Sequence, residues 1–260
     1  MNDRILVAPT DLLGDGVFET IDLRESGPWL LDQHLSRLAS SAEILGLPAP
    51  PLPSLRDRIA ATTEVGALRI IYTRDVLHVS VSPVPPGVLR ERHDGIRVIS
   101  ADQGVSVRRP PWSVSAAKSL SYAENFAARR WAARLGADDL IWLSTEGYVR
   151  EAPTASVVWL AGGELCTVPP AEAGILPGIT AAHLLSLAPS LGLAAAERMV
   201  TRPELAAADA IWLASSLRGL AEVVALDGES RPRSRWTPRL LAALGFPAAL
   251  SAVPDERGQH

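Results

Sequence analysis

Lysine is almost missing from this 260-residue chain, in which 24 arginines accompany a single lysine, Lys118. Arginine replaces lysine wherever only positive charge or surface solubility is needed, but a guanidinium keeps its proton in proteins and cannot form a Schiff base. The surviving amine is therefore either a solvated surface residue or one kept for amine chemistry, and its neighbourhood has to decide. Cysteine is scarce too, and the single Cys166 excludes an intramolecular disulfide. No apolar run approaches the roughly 20 residues that cross a bilayer. The start, Met1-Asn2-Asp3-Arg4, lacks the basic and apolar regions of a signal peptide, so a cytoplasmic protein is expected. A net charge of -4 gives no broad basic field for nucleic acid. The five histidines form no close ligand motif, which argues against a metal site, and no Walker loop or Gly-x-Ser-x-Gly elbow occurs. A small-molecule partner is left.

With 47% hydrophobic residues, the chain can fill a substantial core. A half-buried strand is expected over 17–23, followed by the Gly27-Pro28 turn and a helix with Asp32 as N-cap, in which Leu35, Leu38, Ala42 and Leu45 recur until Gly46 and Pro48 end it. Arg37 and Ser41 share a stripe of that helix. A second helix is read over 52–65, with strands at 68–72, 77–81 and 96–99. The first half, 1–104, is thus a small α+β unit. Arg108-Arg109-Pro110-Pro111 suits neither a helix nor a central strand and marks a linker over 105–112. The larger unit, 113–260, reads as a helix over 122–135 closed by Gly136, strands at 140–143, 156–160 and 164–168, a helix over 179–191, strands at 210–214 and 220–226, and a short helix over 236–244. The tail 251–260 is polar and expected to be loose.

Lys118 lies just after the linker, at the entry to a helix, where an interdomain cleft can receive its side chain. Burial beside other cations would lower its pKa from about 10.4 and leave a nucleophilic amine. In Leu176-Pro177-Gly178-Ile179-Thr180, a glycine turn opens onto a helix whose free N–H groups, dipole and Thr180 hydroxyl make a phosphate cradle. Glycine before a helix is equally a common structural device. Arg37 and Ser215-Ser216 are candidate partners for the same dianion. Glu151 could face a pyridine nitrogen and keep that ring protonated, although 29 acidic residues compete for such a role.

Taken together, these segments resemble the class IV aminotransferases, fold-type IV pyridoxal 5'-phosphate enzymes that include branched-chain and D-amino acid aminotransferases and aminodeoxychorismate lyases. The resemblance runs from Gly14 to Gly228. It rests on Gly14-Asp15-Gly16-Val17-Phe18-Glu19-Thr20, His34-Leu35-Ser36-Arg37-Leu38, Ala117-Lys118-Ser119-Leu120-Ser121-Tyr122, Gly147-Tyr148-Val149-Arg150-Glu151, Leu176-Pro177-Gly178-Ile179-Thr180 and Ser215-Ser216-Leu217-Arg218-Gly219. It implies a two-domain α+β fold with a small N-terminal α/β sandwich and a larger C-terminal domain built on a β-barrel-like core. It implies that pyridoxal 5'-phosphate is the cofactor, with Lys118 as the Schiff-base lysine and Glu151 as the pyridine-nitrogen partner. Arg37, Ile179, Thr180 and Ser216 would hold the phosphate, Tyr122 would touch the cofactor, and Arg218 would project from the loop that faces substrate. A homodimer with its active site near the subunit interface is implied as well.

Within the family, the stretches 66–74 and 80–85 and the run 118–122 are most similar to actinobacterial aminodeoxychorismate lyases, which make p-aminobenzoate and pyruvate for folate synthesis. Three departures bear on substrate more than on cofactor: Ser156 stands where an asparagine is usual, Ala181 where an arginine often follows the cradle, and the N-terminus is short. In the implied lyase reaction, Lys118 takes the proton from the substrate carbon that bears nitrogen, and loss of the enolpyruvyl group lets the ring aromatise. An aminotransferase acting on a branched-chain or D-amino acid shares every step up to proton removal and is the alternative. A non-catalytic cofactor-binding protein is a third reading, and Lys118 and Glu151 argue against it.

Overall fold

The computed structural model of the chain describes residues 13–246; the tail at 251–260 lies outside them. Residues of the first unit alternate along β1 (Val17–Arg24) and β3 (Gly66–Tyr72), so that Val17, Ile21, Leu23, Leu68, Ile70 and Tyr72 point to one face. That face packs on α1 (Leu31–Ile44) and α2 (Leu52–Ala60) through Leu35, Leu38, Leu55 and Ile59. The two-residue strand β2 (Gly27–Pro28) and β4 (Leu77–Ser82) complete an antiparallel sheet of order β2-β1-β3-β4.

Two helix boundaries differ from expectation. α1 begins at Leu31 behind Leu30 in left-handed conformation (φ 54°), and Asp32 sits in its first turn, where its carboxylate accepts from Arg56 of α2 at 2.5 Å in place of capping. α2 stops at Ala60, five residues before the expected end at 65. The Thr62 hydroxyl donates to the Arg58 carbonyl and closes the helix there, leaving the following residues to reach β3.

Next comes α3 (Pro86–Asp94), which buries none of its residues and so shows no apolar periodicity to be read. β5 (Ile96–Asp102) then pairs in parallel with β6 (Asp139–Leu143) on one side and β11 (Gly219–Leu226) on the other. Although it falls within 1–104, β5 is thus hydrogen-bonded into the second sheet. That sheet has the order β6-β5-β11-β10-β7-β8-β9, where β7 is Ser156–Ala161, β8 Glu164–Thr167, β9 Ala194–Glu197 and β10 Ala210–Ser215; a short β12 (Glu229–Ser230) pairs with β11. Its helices are α4 (Ala123–Arg134), α5 (Pro170–Ala173), α6 (Ile179–Leu187), α7 (Arg202–Ala206) and α8 (Thr237–Ala243). The helix expected over 179–191 ends at Leu187, and Pro189 carries the chain on as a 3₁₀ turn over 188–191. β9, α5 and α7 were not foreseen.

Both faces of β6, β7, β8, β10 and β11 in the larger sheet are largely buried, which is why these strands read as continuous apolar runs. One face sends Ile96, Val98, Ile141, Val157, Trp159, Cys166, Ile211, Leu213, Ala221 and Val223 into a single cluster. Residues from β6 through to β8 meet there, which a flat sheet of this width cannot bring about, so the sheet curls as a half-barrel. The opposite face packs Val158, Leu160, Trp212, Ala214 and Leu220 on α6 and α8. The fold is therefore the two-part α+β architecture implied by the resemblance. Among the described residues, no helix is long and apolar enough to cross a membrane.

The fully buried Trp212 donates its indole N–H to the Thr237 hydroxyl at the start of α8, 2.9 Å away. Thr237→Val keeps the volume but leaves that N–H without a partner. Urea unfolding should show a loss of about 1–3 kcal/mol, with the fold otherwise retained.

Candidate active site

Lys118 is placed by backbone pairing. After the 105–112 stretch the chain returns to the edge of β1 opposite β3, where Phe18 N–H donates to the Lys118 carbonyl at 2.9 Å and Leu120 N–H to the Gly16 carbonyl at 2.8 Å. Lys118 N–H is itself held by the Ser41 hydroxyl of α1 at 3.0 Å. The side chain then enters a cavity of about 780 Å³ between the two sheets, within the roughly 300–1,000 Å³ of small-molecule sites. Its Nζ lies 3.3 Å from Tyr122 Oη and 4.5 Å from the centre of the Phe18 ring. Burial, and after it the Arg37 guanidinium, push the Lys118 amine down to about 8, against the opposing pull of Glu19 and Glu151. Burial and the charge of Glu151 push the Tyr122 phenol up, so it stays protonated beside the amine.

Glu151 is fixed on another wall of the same cavity. Its carbonyl accepts from Trp142 N–H at 2.9 Å, the adjacent Arg150 N–H donates to the Trp142 carbonyl at 2.9 Å, and a tight turn from Ala152 to Ala155 follows. Burial raises the Glu151 carboxyl to about 7; Arg150, the Leu176 backbone N–H, Lys118 and Arg109 pull the other way. Arg150 is buried and clamped by Gln103 and by the Gly174 carbonyl at 3.0 Å. Arg109 lies against Gly174. The linker arginine thus sits close behind the carboxylate.

The third wall is the start of α6. Gly178 is its N-cap, no side chain caps it, and Gly178, Ile179 and Thr180 line the cavity with Ser215 and Ser216 from the β10–β11 turn. A Cβ on Gly178 would collide with Ser156 Oγ, so glycine is required by close approach, and Ser156 fills the place where an asparagine amide was expected. Ala181 points away into the apolar cluster beneath α6. Arg37 crosses from α1 and donates from Nη1 to the Pro177 carbonyl at 2.8 Å.

Six of the eight residues singled out in the sequence, Lys118, Tyr122, Glu151, Ile179, Thr180 and Ser216, therefore meet in one cavity together with a seventh, Arg37. Arg218 lines it too but differs from expectation. It is only 3% exposed, and its guanidinium is engaged by Glu91 at 2.7 Å and Asp139 at 3.3 Å, because the short β10–β11 turn tucks it under α3 and β6. Only Nη1 lacks a hydrogen-bond partner. The free bidentate fork expected for a substrate carboxylate is not presented.

Two residues around the site were not foreseen. Glu19 is fully buried and accepts from Arg37 Nε at 2.7 Å, from Arg37 Nη2 at 2.8 Å and from His34 Nδ1 at 2.7 Å; His34 Nε2 lies 3.1 Å from Ser216 Oγ. Burial alone would raise the Glu19 carboxyl, but Arg37 and His34 outweigh it and hold it at about 2. The signal was present in the strand alternation, since Glu19 falls on the face of Val17, Ile21 and Leu23, where an uncompensated carboxylate is not tolerated.

The donor set fits a phosphorylated pyridine aldehyde: a nucleophilic amine, a carboxylate lining the same cavity, and an uncapped helix start flanked by hydroxyls and a guanidinium. Fold and site together are those of a pyridoxal-phosphate enzyme. The amino-transferase class IV family model matches residues 16–226. A bifunctional aminodeoxychorismate lyase / D-amino acid transaminase of Mycobacterium tuberculosis is 39% identical over 245 residues, 85% of each chain. A hypothetical aminotransferase from M. tuberculosis, solved in a PLP-bound form, superposes with a TM-score of 0.88 at 36% identity over 94% of each chain. A 4-amino-4-deoxychorismate lyase from Pseudomonas aeruginosa does so with a TM-score of 0.77 at 26% identity, over 93% of this chain and 95% of that one. The chain belongs to the class IV aminotransferase family of pyridoxal-phosphate-dependent enzymes.

With Lys118 lowered to about 8, the fraction of free amine rises as pH rises through that value. The rate at which the apo protein captures pyridoxal phosphate, followed by absorbance, should climb about tenfold per pH unit below 8 and level off above it. A flat profile between pH 6 and 8 would show that the amine is not rate-determining in its free form.

Proposed function

We propose that this enzyme is an aminodeoxychorismate lyase, releasing p-aminobenzoate and pyruvate. The observation that carries the chemistry is the single lysine, half-buried in one cavity with Tyr122 and Glu151. The choice among family reactions is supported by the likeness to the M. tuberculosis bifunctional lyase and transaminase and to the P. aeruginosa lyase.

When bound, pyridoxal phosphate supplies an aldehyde carbon that captures amines and a conjugated ring that accepts electrons. The backbone N–H groups at the start of α6, with Thr180, Ser216 and Arg37, bind the phosphate. Glu151 Oε holds a proton at the ring nitrogen. With substrate bound, Lys118 Nζ would take the proton from the substrate carbon that bears nitrogen. The substrate's bond to the enolpyruvyl oxygen would then break, its ring would become aromatic, and the departing enolate would take the proton held on Lys118 Nζ to become pyruvate. Tyr122 Oη, kept protonated by its surroundings, orients Nζ between these tasks. Arg129 and Arg218, paired with Glu91 and Asp139 at the cavity wall, would meet the substrate's carboxylates only by exchanging those partners.

A transaminase is the second reading, favoured by the same M. tuberculosis relative and by a neighbouring structure with α-ketoglutarate and PMP bound. In that reaction, Lys118 returns its proton on the other side of the amino nitrogen. We also place a homodimer contact on the exposed apolar residues Val114 and Phe126, which line the cavity, and on Trp112, Trp131 and Leu135, which are exposed on the neighbouring stretches of chain.

The purified enzyme should release p-aminobenzoate and pyruvate from aminodeoxychorismate without an added keto acid. No release, together with amino transfer to a keto acid, would replace the lyase reading by the transaminase one.

Because Lys118 is the only lysine, borohydride reduction of the loaded enzyme should attach cofactor at one internal position. Lys118→Arg preserves charge but not amine chemistry, so it should lose more than about ten-thousandfold in turnover, beyond the roughly 10²–10⁴-fold attributed to a general base alone, because the covalent role is lost as well. Normal turnover in Lys118→Arg, with no cofactor mapped to Lys118 in the parent, would remove the covalent role.

A further inference from the structure

We propose that His34 is a positioning residue whose protonation turns the Ser216 hydroxyl toward the cavity, so that a phosphate dianion seated on α6 is taken up together with a proton from solvent. The inference rests on the proposed function's placement of the phosphate at α6.

The tautomer of His34 follows from its partners. Glu19 is held as a carboxylate and can only accept, so His34 Nδ1, 2.7 Å from Glu19 Oε2, carries the hydrogen. That leaves Nε2 to deal with Ser216 Oγ at 3.1 Å. In neutral His34, Nε2 is an acceptor, the serine hydroxyl donates to it, and Ser216 shows the cavity only lone pairs. A phosphate dianion has no hydrogen to offer them. In cationic His34, Nε2–H donates to Oγ, and the hydroxyl hydrogen is free to point at the phosphate.

Charge favours the second state once a dianion arrives. Arg37 is already paired with Glu19 through Nε and Nη2, so the two together are neutral. The helix start adds roughly half a positive charge, which leaves most of a buried dianion unbalanced. A proton on His34 supplies a full charge one hydroxyl away from the phosphate. The groups facing His34 are Glu19 from β1, Arg37 from α1, Ser216 from the β10–β11 turn and, at longer range, Lys118. Without ligand, burial and the charges of Arg37 and Lys118 hold His34 below its ordinary pKa despite Glu19, so it is neutral at pH 7. The ring is fully buried, and Ser216 with the cavity is where the proton would enter.

The test is the ¹⁵N spectrum of the histidine rings in the apo protein, in protein loaded with pyridoxal, and in protein loaded with pyridoxal phosphate, all at one pH near 7.5; His34→Gln assigns the His34 signals. Neutral His34 with its proton on Nδ1 is expected in the first two states and a doubly protonated ring in the third. A neutral ring in the phosphate-loaded protein overturns the proposal. Affinity gives a second readout: the preference for pyridoxal phosphate over pyridoxal should fall with rising pH, by up to tenfold per unit, and His34→Gln should flatten that slope. A merely structural histidine would lower the preference at every pH and leave the slope unchanged, which also overturns it. Thr180→Val and Ser216→Ala separate the two levels of inference. If they reduce the phosphate preference while His34 stays neutral, only the proton coupling fails; if they leave the preference intact, the phosphate is not at α6 and both readings fall.

Discussion

The site depends on one short stretch of strand pairing. Two backbone hydrogen bonds, from Phe18 N–H to the Lys118 carbonyl and from Leu120 N–H to the Gly16 carbonyl, tie the residues after 105–112 to the edge of β1. They make the β1 edge part of the cavity floor and set the direction in which Lys118 leaves the backbone, because side chains alternate across a paired segment. With Ser41 holding Lys118 N–H from α1, the amine is fixed by elements of the smaller sheet. Glu151 and the α6 cradle belong to the larger one. A slip of one residue in this pairing would turn Lys118 away from the cavity and leave the rest of the fold intact.

Around that amine, charges are arranged in two groups with opposite aims. At the α6 end, Glu19, Arg37 and His34 form a hydrogen-bonded set whose carboxylate is kept ionised although fully buried. At Glu151, burial dominates and raises the carboxyl to about 7, where it can share a proton with a ring nitrogen in place of binding a cation permanently. Arg109 and Arg150 restrain that rise from behind. Using arginine for these supporting charges keeps them protonated at any working pH, and among the arginine and lysine side chains the only one able to switch by losing a proton is Lys118, which lines the cavity beside Tyr122. The lysine-poor composition thus corresponds to a division of labour visible in the cavity.

The parts of this arrangement that were legible in the sequence are those that obey local rules. β1, α1 and α4 come from apolar spacing and turn residues, the α6 cradle from Gly178 before an apolar helix, and the importance of Lys118 from its isolation in composition. α3 was not legible because it buries nothing, and β9, with the sequence Ala-Ala-Ala-Glu, because it is an exposed edge with no strand preference of its own. Contacts between distant residues were the other loss. Nothing in the sequence around Arg218 tells that Glu91 and Asp139 take its guanidinium, and nothing near Ser156 tells that it lies against Gly178. The role of Glu19 was half legible, since its place on the apolar face of β1 announces a buried charge but not the identity of its partners.

The machinery for removing a proton does not by itself select the product. On the proposed function, once Lys118 has taken the proton the electrons leave toward whichever bond is weakest, and an allylic enolpyruvyl ether whose loss makes a benzene ring offers a much easier path than returning the proton elsewhere. A substrate with no such leaving group has only the transfer path. The same Lys118, Tyr122 and Glu151 can therefore serve both reactions, in keeping with a relative that is named for both. On the proposed function, selection between them falls to the wall that admits the substrate, where Arg129 and Arg218 share two carboxylates and only one guanidinium nitrogen of Arg218 lacks a partner. A dicarboxylate substrate must compete with Glu91 and Asp139 for these arginines, so its binding is a charge exchange at that wall, whereas the departures at Ser156, which lies against Gly178, and Ala181, buried beneath α6, are not at that wall, contrary to the expectation that they bear on substrate.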